Sequence, residues 1–460
     1  MQLPPSLVHS LQSVKGFDET AFINIHQSGE QVTSIRFNPL KEVDDQNRNS
    51  EIVNRQSKIP WTSLGYYLHQ RPSFTLDPLF HAGTYYVQEA SSMFLEQAVK
   101  QTTDISQPLL VLDLCAAPGG KSTLLQSIIS KESLLVSNEV IQSRVNILKE
   151  NLIKWGSSNV IVTNNDPKDF TKLSGLFDVV VIDAPCSGSG LFRRDPEAIN
   201  EWSEANVQLC SQRQQRIIAD AWNCLKEEGV LIYSTCSYST EEDEEILDWT
   251  VQRLKVEGIR LKVEEERGID EVQTVTGAYG YRFWPYKVKG EGFFIAAFRK
   301  KDATAKLRMK IKKEAVPSKQ DAQVAAKWLQ STDDVSFILQ GQNIAAVPAV
   351  WHHTIQYLMQ ELKVRYAGTE LGTIAKNDLL PEHALALSTI INQNILSVEL
   401  NEEQALTYLR KNELQLDVSH KGWALATYKG MNLGWMKLLG NRINNYYPKE
   451  WRILKAATTP

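Results

Sequence analysis

The sequence predicts a doubly wound α/β fold with a mostly parallel sheet, carrying a small N-terminal α/β cap and small C-terminal modules. Three observations predict it. Between Gln107 and Arg299, short β-branched runs alternate with helical patterns. A turn of small residues, Cys115-Ala-Ala-Pro-Gly-Gly-Lys121, joins the first of those strands to a helix. A chain of 460 residues with 42% hydrophobic content is long enough for roughly three packed domains, which excludes a disordered or fibrous chain.

Residues 1–100 read as the cap, with a strand and turn near Gly29 and a proline-punctuated stretch from Pro60 to Pro78. Residues 101–300 read as the catalytic domain. Its expected strands are Leu109–Leu114, Ser133–Asn138, Val160–Asn164, Phe177–Ile182, Gly229–Ser234 and Gly292–Phe298. Helices are expected at Ser122–Ser130 and Gln142–Trp155, where Val145, Leu148, Leu152 and Trp155 fall on one face. Such alternation makes a parallel sheet that binds ligands at the carboxyl ends of its strands. Residues 301–315 form a basic linker or RNA-contacting arm, residues 316–400 an intermediate module, and residues 401–460 a module rich in Gly, Trp and Tyr.

No apolar run approaches the roughly 18 residues that span a bilayer, and Met1–Gln12 lacks a basic start before an apolar stretch. A cytoplasmic protein without membrane contact is expected. Five cysteines, at 115, 186, 210, 224 and 236, fit neither a disulfide framework nor a zinc site, so free thiols and no metal are expected. The net charge of -4 conceals an asymmetry: residues 1–300 carry 30 Lys and Arg against 39 Asp and Glu, whereas residues 301–460 carry 20 against 15. The basic end suits a polyanion such as RNA, the alternative being a solvated surface.

The Cys115–Lys121 turn lets a ligand approach the backbone, and the helix start favours an anionic group. A phosphate-binding GxxxxGK[ST] loop is incomplete because Cys115 stands at the first glycine position, and GxGxxG is absent. The third class that competes for this turn is a nucleoside with a small charged tail, namely S-adenosylmethionine. Glu139, at the end of the second strand, is placed for the ribose hydroxyls, Asp166 for the adenine amino group, and Asp183 ends the fourth strand. Any one of these acids alone is more often a helix cap.

No histidine lies between His81 and His352, which removes Ser-His and Cys-His hydrolases. Cys186 in Asp183-Ala-Pro-Cys-Ser-Gly-Ser-Gly190 and Cys236 in Ser234-Thr-Cys-Ser-Tyr238 instead follow neighbouring strands. Cys210 and Cys224 lie on an expected helix and read as core. Methylation of cytosine carbon 5 wants two groups of this kind: a thiolate adds to carbon 6 so that carbon 5 becomes nucleophilic, and a base, the second cysteine or water, removes the carbon 5 proton. Asp183 can hold the ring amino group and Lys121 can neutralise charge nearby. Ser239-Thr-Glu-Glu242 reads as a capping box whose helix start would favour a Cys236 thiolate, against the acids Glu241–Glu245.

The segments DLCAAPGGKS from Asp113, DAPCSGSG from Asp183, STCSYS from Ser234, YVQEASSM from Tyr86 and RFWPYKVKGEGFF from Arg282 closely resemble the RNA 5-methylcytosine methyltransferase family (the Nol1/Nop2/Sun group), and among its members the bacterial RsmF type. The resemblance implies a class I S-adenosylmethionine-dependent fold, with Cys236 as the nucleophile and Cys186 assisting product release. It also implies donor contacts from Cys115 through Lys121, Glu139, Asp166 and Asp183. The substrate it implies is 16S ribosomal RNA or the small ribosomal subunit, and a monomer is expected. Transfer RNA methylation and an inactive RNA-binding assembly factor are the alternatives. Residues 401–460 resemble a PUA-like RNA-binding domain. Lys429, Lys437 and Arg442 are its candidate phosphate contacts, and Arg193 and Arg194 beside the Cys186 loop are candidates to steer the strand.

Overall fold

Residues that are β-branched or aliphatic at successive positions, such as Val160-Ile-Val and Val179-Val-Val-Ile, can be satisfied only where both faces of a strand are covered. In the computed structural model, which describes residues 2–41, 55–264, 267–305, 307–417, 419–440 and 442–455, these runs are the buried centre of one large sheet. Its strands are β1 (Leu110–Asp113), β2 (Leu134–Asn138), β3 (Val160–Thr163), β4 (Phe177–Asp183), β5 (Leu225–Thr235), β6 (Val256–Ile259), β7 (Ile269–Gln273), β8 (Tyr279–Phe283), β9 (Phe293–Lys300) and β10 (Val364–Ala367). They lie in the order β7-β8-β9-β5-β4-β1-β2-β3-β10, with β6 pairing β9. The β1–β2, β1–β4, β2–β3 and β4–β5 pairs are parallel, whereas β6 to β9 and β10 join antiparallel. The chain order reverses between β1 and β4, which is where an open α/β sheet forms its binding crevice.

Helices α1 (Gly120–Ile128), α2 (Gln142–Trp155), α3 (Glu204–Trp222) and α4 (Glu244–Arg253) connect the strands. α2 matches its expected span, and Val145, Leu148, Leu152 and Trp155 are all buried. It stops at Gly156, whose φ of +89° is left-handed backbone that glycine adopts without strain.

The antiparallel additions alter the expected boundaries. β10 comes from the segment read as an intermediate module, yet it pairs with β3. Its approach is fixed by Asn164, whose N–H donates to Lys363 O at 3.0 Å, and by Lys363, whose N–H donates to Asn165 Oδ1 at 2.9 Å. The rest of that segment forms its own four-stranded sheet from Val335–Gln340, Asn343–Pro348, Thr369–Ala375 and Asp378–Pro381. The final sheet begins at Ser397–Glu399, before residue 401, because that strand pairs in parallel with Lys421–Tyr428.

The expected basic arm is an extended segment pinned to the catalytic domain. Leu307, Met309 and Ile311 pack against its core while Arg308, Lys310 and Lys312 point outward, a period-2 alternation; Lys306 lies outside the described residues.

Neither flanking module is a loose appendage. Arg36, fully buried in the N-terminal sheet, donates to Gln88 Oε1 at 2.8 Å, Ser127 Oγ at 2.8 Å and Thr123 Oγ1 at 2.6 Å, which ties that sheet to α1. Ile35, Phe74 and Tyr85 from the N-terminal region share one apolar core with Tyr408, Leu433 and Tyr447 from the C-terminal module. Removing residues 401–460 would therefore strip core as well as any RNA contact.

That junction buries two imidazoles beside a lysine. Burial, with the Lys154 charge adding to it, holds His81 down to about 4 and His383 down to about 3, against an ordinary value of 6.5. Both are neutral when folded and accept protons below about pH 6.5 when unfolded. Their contribution to stability is complete above that pH and is lost as the pH falls from about 6.5 toward 4. Buried carboxyls such as Asp113 and Glu291, held up to about 7, gain stability over the same range. The rings are therefore tested by difference: a His81→Gln, His383→Gln variant should lose less urea-midpoint stability between pH 7.5 and pH 5 than the parent, and identical pH dependence in the two proteins would contradict the burial of these rings. Among the described residues no helix is long and apolar enough to cross a membrane.

Candidate active site

At the carboxyl ends of β1, β2, β4 and β5, next to the reversal of strand order, lies a cavity of about 790 Å³. Ala116, Ala117, Pro118, Gly120 and Lys121 line it together with Cys115, Glu139, Asp183, Cys186 and Cys236. Tyr86, Gln88, Gly292 and Phe293 complete the walls, so the N-terminal region contributes to the site.

The turn after β1 is shaped by its small residues and held by its neighbours. Ala116 N–H donates to Asn138 O at 2.8 Å, Arg144 donates to Ala117 O at 2.6 Å, and Asn151 donates to Pro118 O at 2.8 Å. Gly119 starts α1 with φ +114°, a value that excludes most side chains, although Gly119 itself is not in the cavity wall. Beneath the turn Asp113 accepts from Ser122 Oγ at 2.6 Å, while its Oδ1 has no partner among the described residues. Burial pushes this carboxyl up to about 7.

Glu139 is almost completely buried; Ile141 N–H donates to its Oε1 at 2.9 Å, and Arg144 lies 3.5 Å from its Oε2. Asp166 departs from expectation. Its Oδ1 accepts from Lys168 N at 3.1 Å and caps the short helix Pro167–Lys172, and Pro167, not Asp166, lines the cavity. The sequence Asp-Pro-Lys favours that cap, because proline at the first helical position leaves the aspartate free to bond the next amide.

Register places the two thiols together. Asp183 pairs with Ser234 across β4 and β5, so the loops that follow run side by side. Cys186 Sγ lies 2.9 Å from Cys236 Sγ. Gly190 makes the close approach possible: its N–H donates to Cys236 O at 2.8 Å, and a Cβ there would lie 2.7 Å from that oxygen. Lys121 Nζ reaches Asp183 Oδ2 at 2.7 Å, and Ser234 Oγ donates to Asp183 Oδ1 at 2.9 Å. Burial alone would lower the Lys121 ammonium, but the Asp183 carboxylate and the nearby Cys236 outweigh it and raise it. Lys121 is thus a cation beside the thiols. The hydrogen bond to Cys236 and then burial push the Cys186 thiol well above its usual range. Two sulfurs this close cannot both ionise, and the proton stays on Cys186.

Glu242 holds this arrangement. The expected capping box does not form: a short turn at Thr240–Glu242 precedes α4, Ser239 makes no cap, and Glu242 turns inward. Its Oε1 accepts from Ser187 N at 2.8 Å and from Gln214 Nε2 at 3.1 Å, and its Oε2 from Ser237 Oγ at 2.6 Å. One carboxylate therefore ties the Cys186 loop, the Cys236 loop and α3 together. Sequence reading missed Glu242, Gln214, Ser187 and Ser237, since nothing in the acidic run Glu241–Glu245 marks which member is buried. Glu242→Ala would leave several buried donors unpaired. It should cost roughly 2–4 kcal/mol of stability in chemical denaturation, whereas Glu241→Ala, at a half-buried carboxylate, should cost much less; equal effects would contradict this role.

The RNA-contact candidates divide. Arg193 is buried: it donates to Gly290 O at 3.0 Å and Glu30 O at 2.8 Å and lies 3.6 Å from Glu291, so its guanidinium is a strut between loops and is withdrawn as an RNA contact. Arg194 is exposed at the cavity mouth. Lys437 lies over the Trp423 ring at 4.9 Å, Lys429 over Tyr428 at 5.5 Å, and Arg442 is exposed, all on the C-terminal module and none in the cavity wall.

Comparison with known proteins matches three family models: the N-terminal domain of 16S rRNA methyltransferase RsmF over residues 3–90, 16S rRNA methyltransferase RsmB/F over residues 101–299, and the methyltransferase RsmF PUA domain over residues 395–453. The chain is 31% identical over 434 residues to ribosomal RNA small subunit methyltransferase F of Aliivibrio fischeri, covering 91% of this chain and 90% of the relative. It is 31% identical over 405 residues to the protein of the same name from Shewanella oneidensis, covering 85% and 84%. Among solved structures, a methyltransferase homologue from Pyrococcus horikoshii is 28% identical with a TM-score of 0.52, covering 65% of this chain and all of that one. The NSun6 structure from Pyrococcus horikoshii, at 18% identity and TM-score 0.54 over 65% of this chain and 98% of that one, shares the fold.

Proposed function

Since this chain belongs to the ribosomal RNA small subunit methyltransferase F family, we propose that it methylates carbon 5 of a cytosine in 16S ribosomal RNA, with Cys236 as nucleophile, Cys186 as its partner and S-adenosylmethionine as methyl donor. The observation that carries this reading is the pair of sulfur atoms 2.9 Å apart in the wall of the cavity.

The residues present fit such a donor. The nearly buried Glu139 carboxylate ends β2 where a ribose diol would need an acceptor, and the small-residue turn exposes backbone at a helix start. The unpartnered Asp113 oxygen adds polarity beneath that turn. When bound, the donor supplies an electrophilic methyl group on a sulfonium.

The Cys236 thiolate adds to carbon 6 of the cytosine and forms an S–C bond, with the Lys121 ammonium nearby. Asp183 accepts a hydrogen bond from the ring amino group. A proton taken from solvent at ring nitrogen 3 as the thiolate adds, and given back when it leaves, keeps the ring neutral and makes carbon 5 the nucleophilic end of an enamine. Carbon 5 takes the methyl group. A base then removes the carbon 5 proton, the S–C6 bond breaks, and the electron pair returns to Cys236 as thiolate. Cys186, held as a thiol beside that sulfur, acts at the stage of release. Lys429, Lys437 and Arg442 serve RNA phosphates away from the cavity.

Incubation with methyl-labelled donor and 16S ribosomal RNA, or small subunits, followed by digestion to nucleosides should place the label in 5-methylcytidine. Label in a methylated amino group would overturn the reading, and label from transfer RNA alone would overturn the substrate.

A further inference from the structure

We propose that Arg194, Arg213 and Arg216 form a cationic rim that grips the ribose–phosphate backbone of single-stranded RNA on both sides of the target nucleotide. The inference rests on the RNA substrate proposed above and adds the path of the strand. All three side chains line the mouth of the cavity that holds the thiols, and all three are exposed.

They differ from the other arginines around the site. Arg36, Arg144, Arg193 and Arg282 each spend their donors on protein partners. Among the described residues no hydrogen bond or salt bridge holds the guanidinium of Arg194, Arg213 or Arg216. Asp220, one turn along α3 from Arg216, and Glu291, behind Arg194, feel these charges without pairing with them. Asp195 and Glu197 follow Arg194 on the same exposed loop.

The backbones that carry the rim are fixed relative to the sulfur atoms. Between Arg213 and Arg216 sits Gln214, fully buried, whose Nε2 donates to Pro185 O at 3.1 Å and Glu242 Oε1 at 3.1 Å, bolting α3 to the Cys186 loop. Arg194 N–H donates to Leu191 O at 2.9 Å in the turn that Gly190 attaches to Cys236. Arg213 and Arg216 are three residues apart on one helix face, about 5–6 Å between Cβ atoms. Arg194 also lines a second hollow together with Arg71, Gln31 and Thr33 of the N-terminal region. Cations therefore run from α3, across the mouth, toward the N-terminal sheet.

A base inserted into the cavity leaves its phosphate and those of its neighbours at the mouth. Guanidinium groups match phosphate oxygens with paired donors, and such contacts position a strand without reading its sequence. A single free anion would meet only one side of this rim, whereas a continuous backbone meets it all.

The test is equilibrium binding of a short fluorescent single-stranded RNA across a salt series, with donor affinity measured separately. The triple variant Arg194→Gln, Arg213→Gln, Arg216→Gln should reduce the slope of log K against log salt by about 2, and each single variant by about 0.7, with donor affinity unchanged. An unchanged slope would overturn the proposal. So would a loss of donor affinity at constant RNA slope, which would place these groups at the donor carboxylate, or competition by inorganic phosphate beyond its ionic-strength effect, which would indicate a free-anion site. Binding needs no turnover, so a failure to form 5-methylcytidine would leave this test readable.

Discussion

Cys236→Ala should lower RNA methylation by at least about 10³-fold, equivalent to about 4 kcal/mol of barrier, while leaving donor binding and the fold intact. Carbon 5 of cytosine is too electron-poor to attack a methyl sulfonium unaided, so losing the sulfur proposed to add to carbon 6 would remove the activation and not merely a contact. The side chain is half-buried and small, and alanine leaves the strand register and the Gly190 hydrogen bond to the Cys236 backbone in place. The effect should appear in single-turnover rates and not in RNA affinity. A Cys236→Ala protein that methylates at the normal rate would show that another group is the nucleophile.

Cys186→Ala should behave differently and equally visibly. Its thiol is the neighbour that keeps its proton, pushed up first by the hydrogen bond to Cys236 and then by burial. If Cys186 acts at release, its loss leaves addition and methyl transfer possible but stalls cleavage of the S–C6 bond. The variant should accumulate a protein–RNA complex that survives denaturant, with multiple turnover lost. Adduct measured on denaturing gels checks this; a variant that turns over normally without trapped RNA would contradict it.

The parallel strands were legible because burial on both faces leaves continuous β-branched runs, and α2 because Val145, Leu148, Leu152 and Trp155 keep helical spacing. β7 and β10 were not. Ile269–Gln273 and Val364–Ala367 are short edge strands with partly exposed positions, so their pairing is decided by partners distant in sequence, Tyr279–Phe283 and Ile161–Thr163. At the site, the Cys186 and Cys236 loops were readable since adjacent strands deliver them. Arg193 and Arg194 were indistinguishable on paper; one is a buried strut and the other stands at the cavity mouth. Asp166 and Glu242 exchanged roles with expectation for a shared reason. An acidic residue before a helix can cap it or turn away, and only the packing of Ser187, Ser237 and Gln214 decides for Glu242.

The most direct measurement is the position of the covalent link. RNA trapped on the Cys186→Ala protein, digested with nuclease and protease and sequenced by mass spectrometry, should leave a 5-methylcytosine nucleotide attached to the peptide at Cys236. Attachment at any other residue, or RNA released entirely by denaturant, would contradict the two-sulfur account.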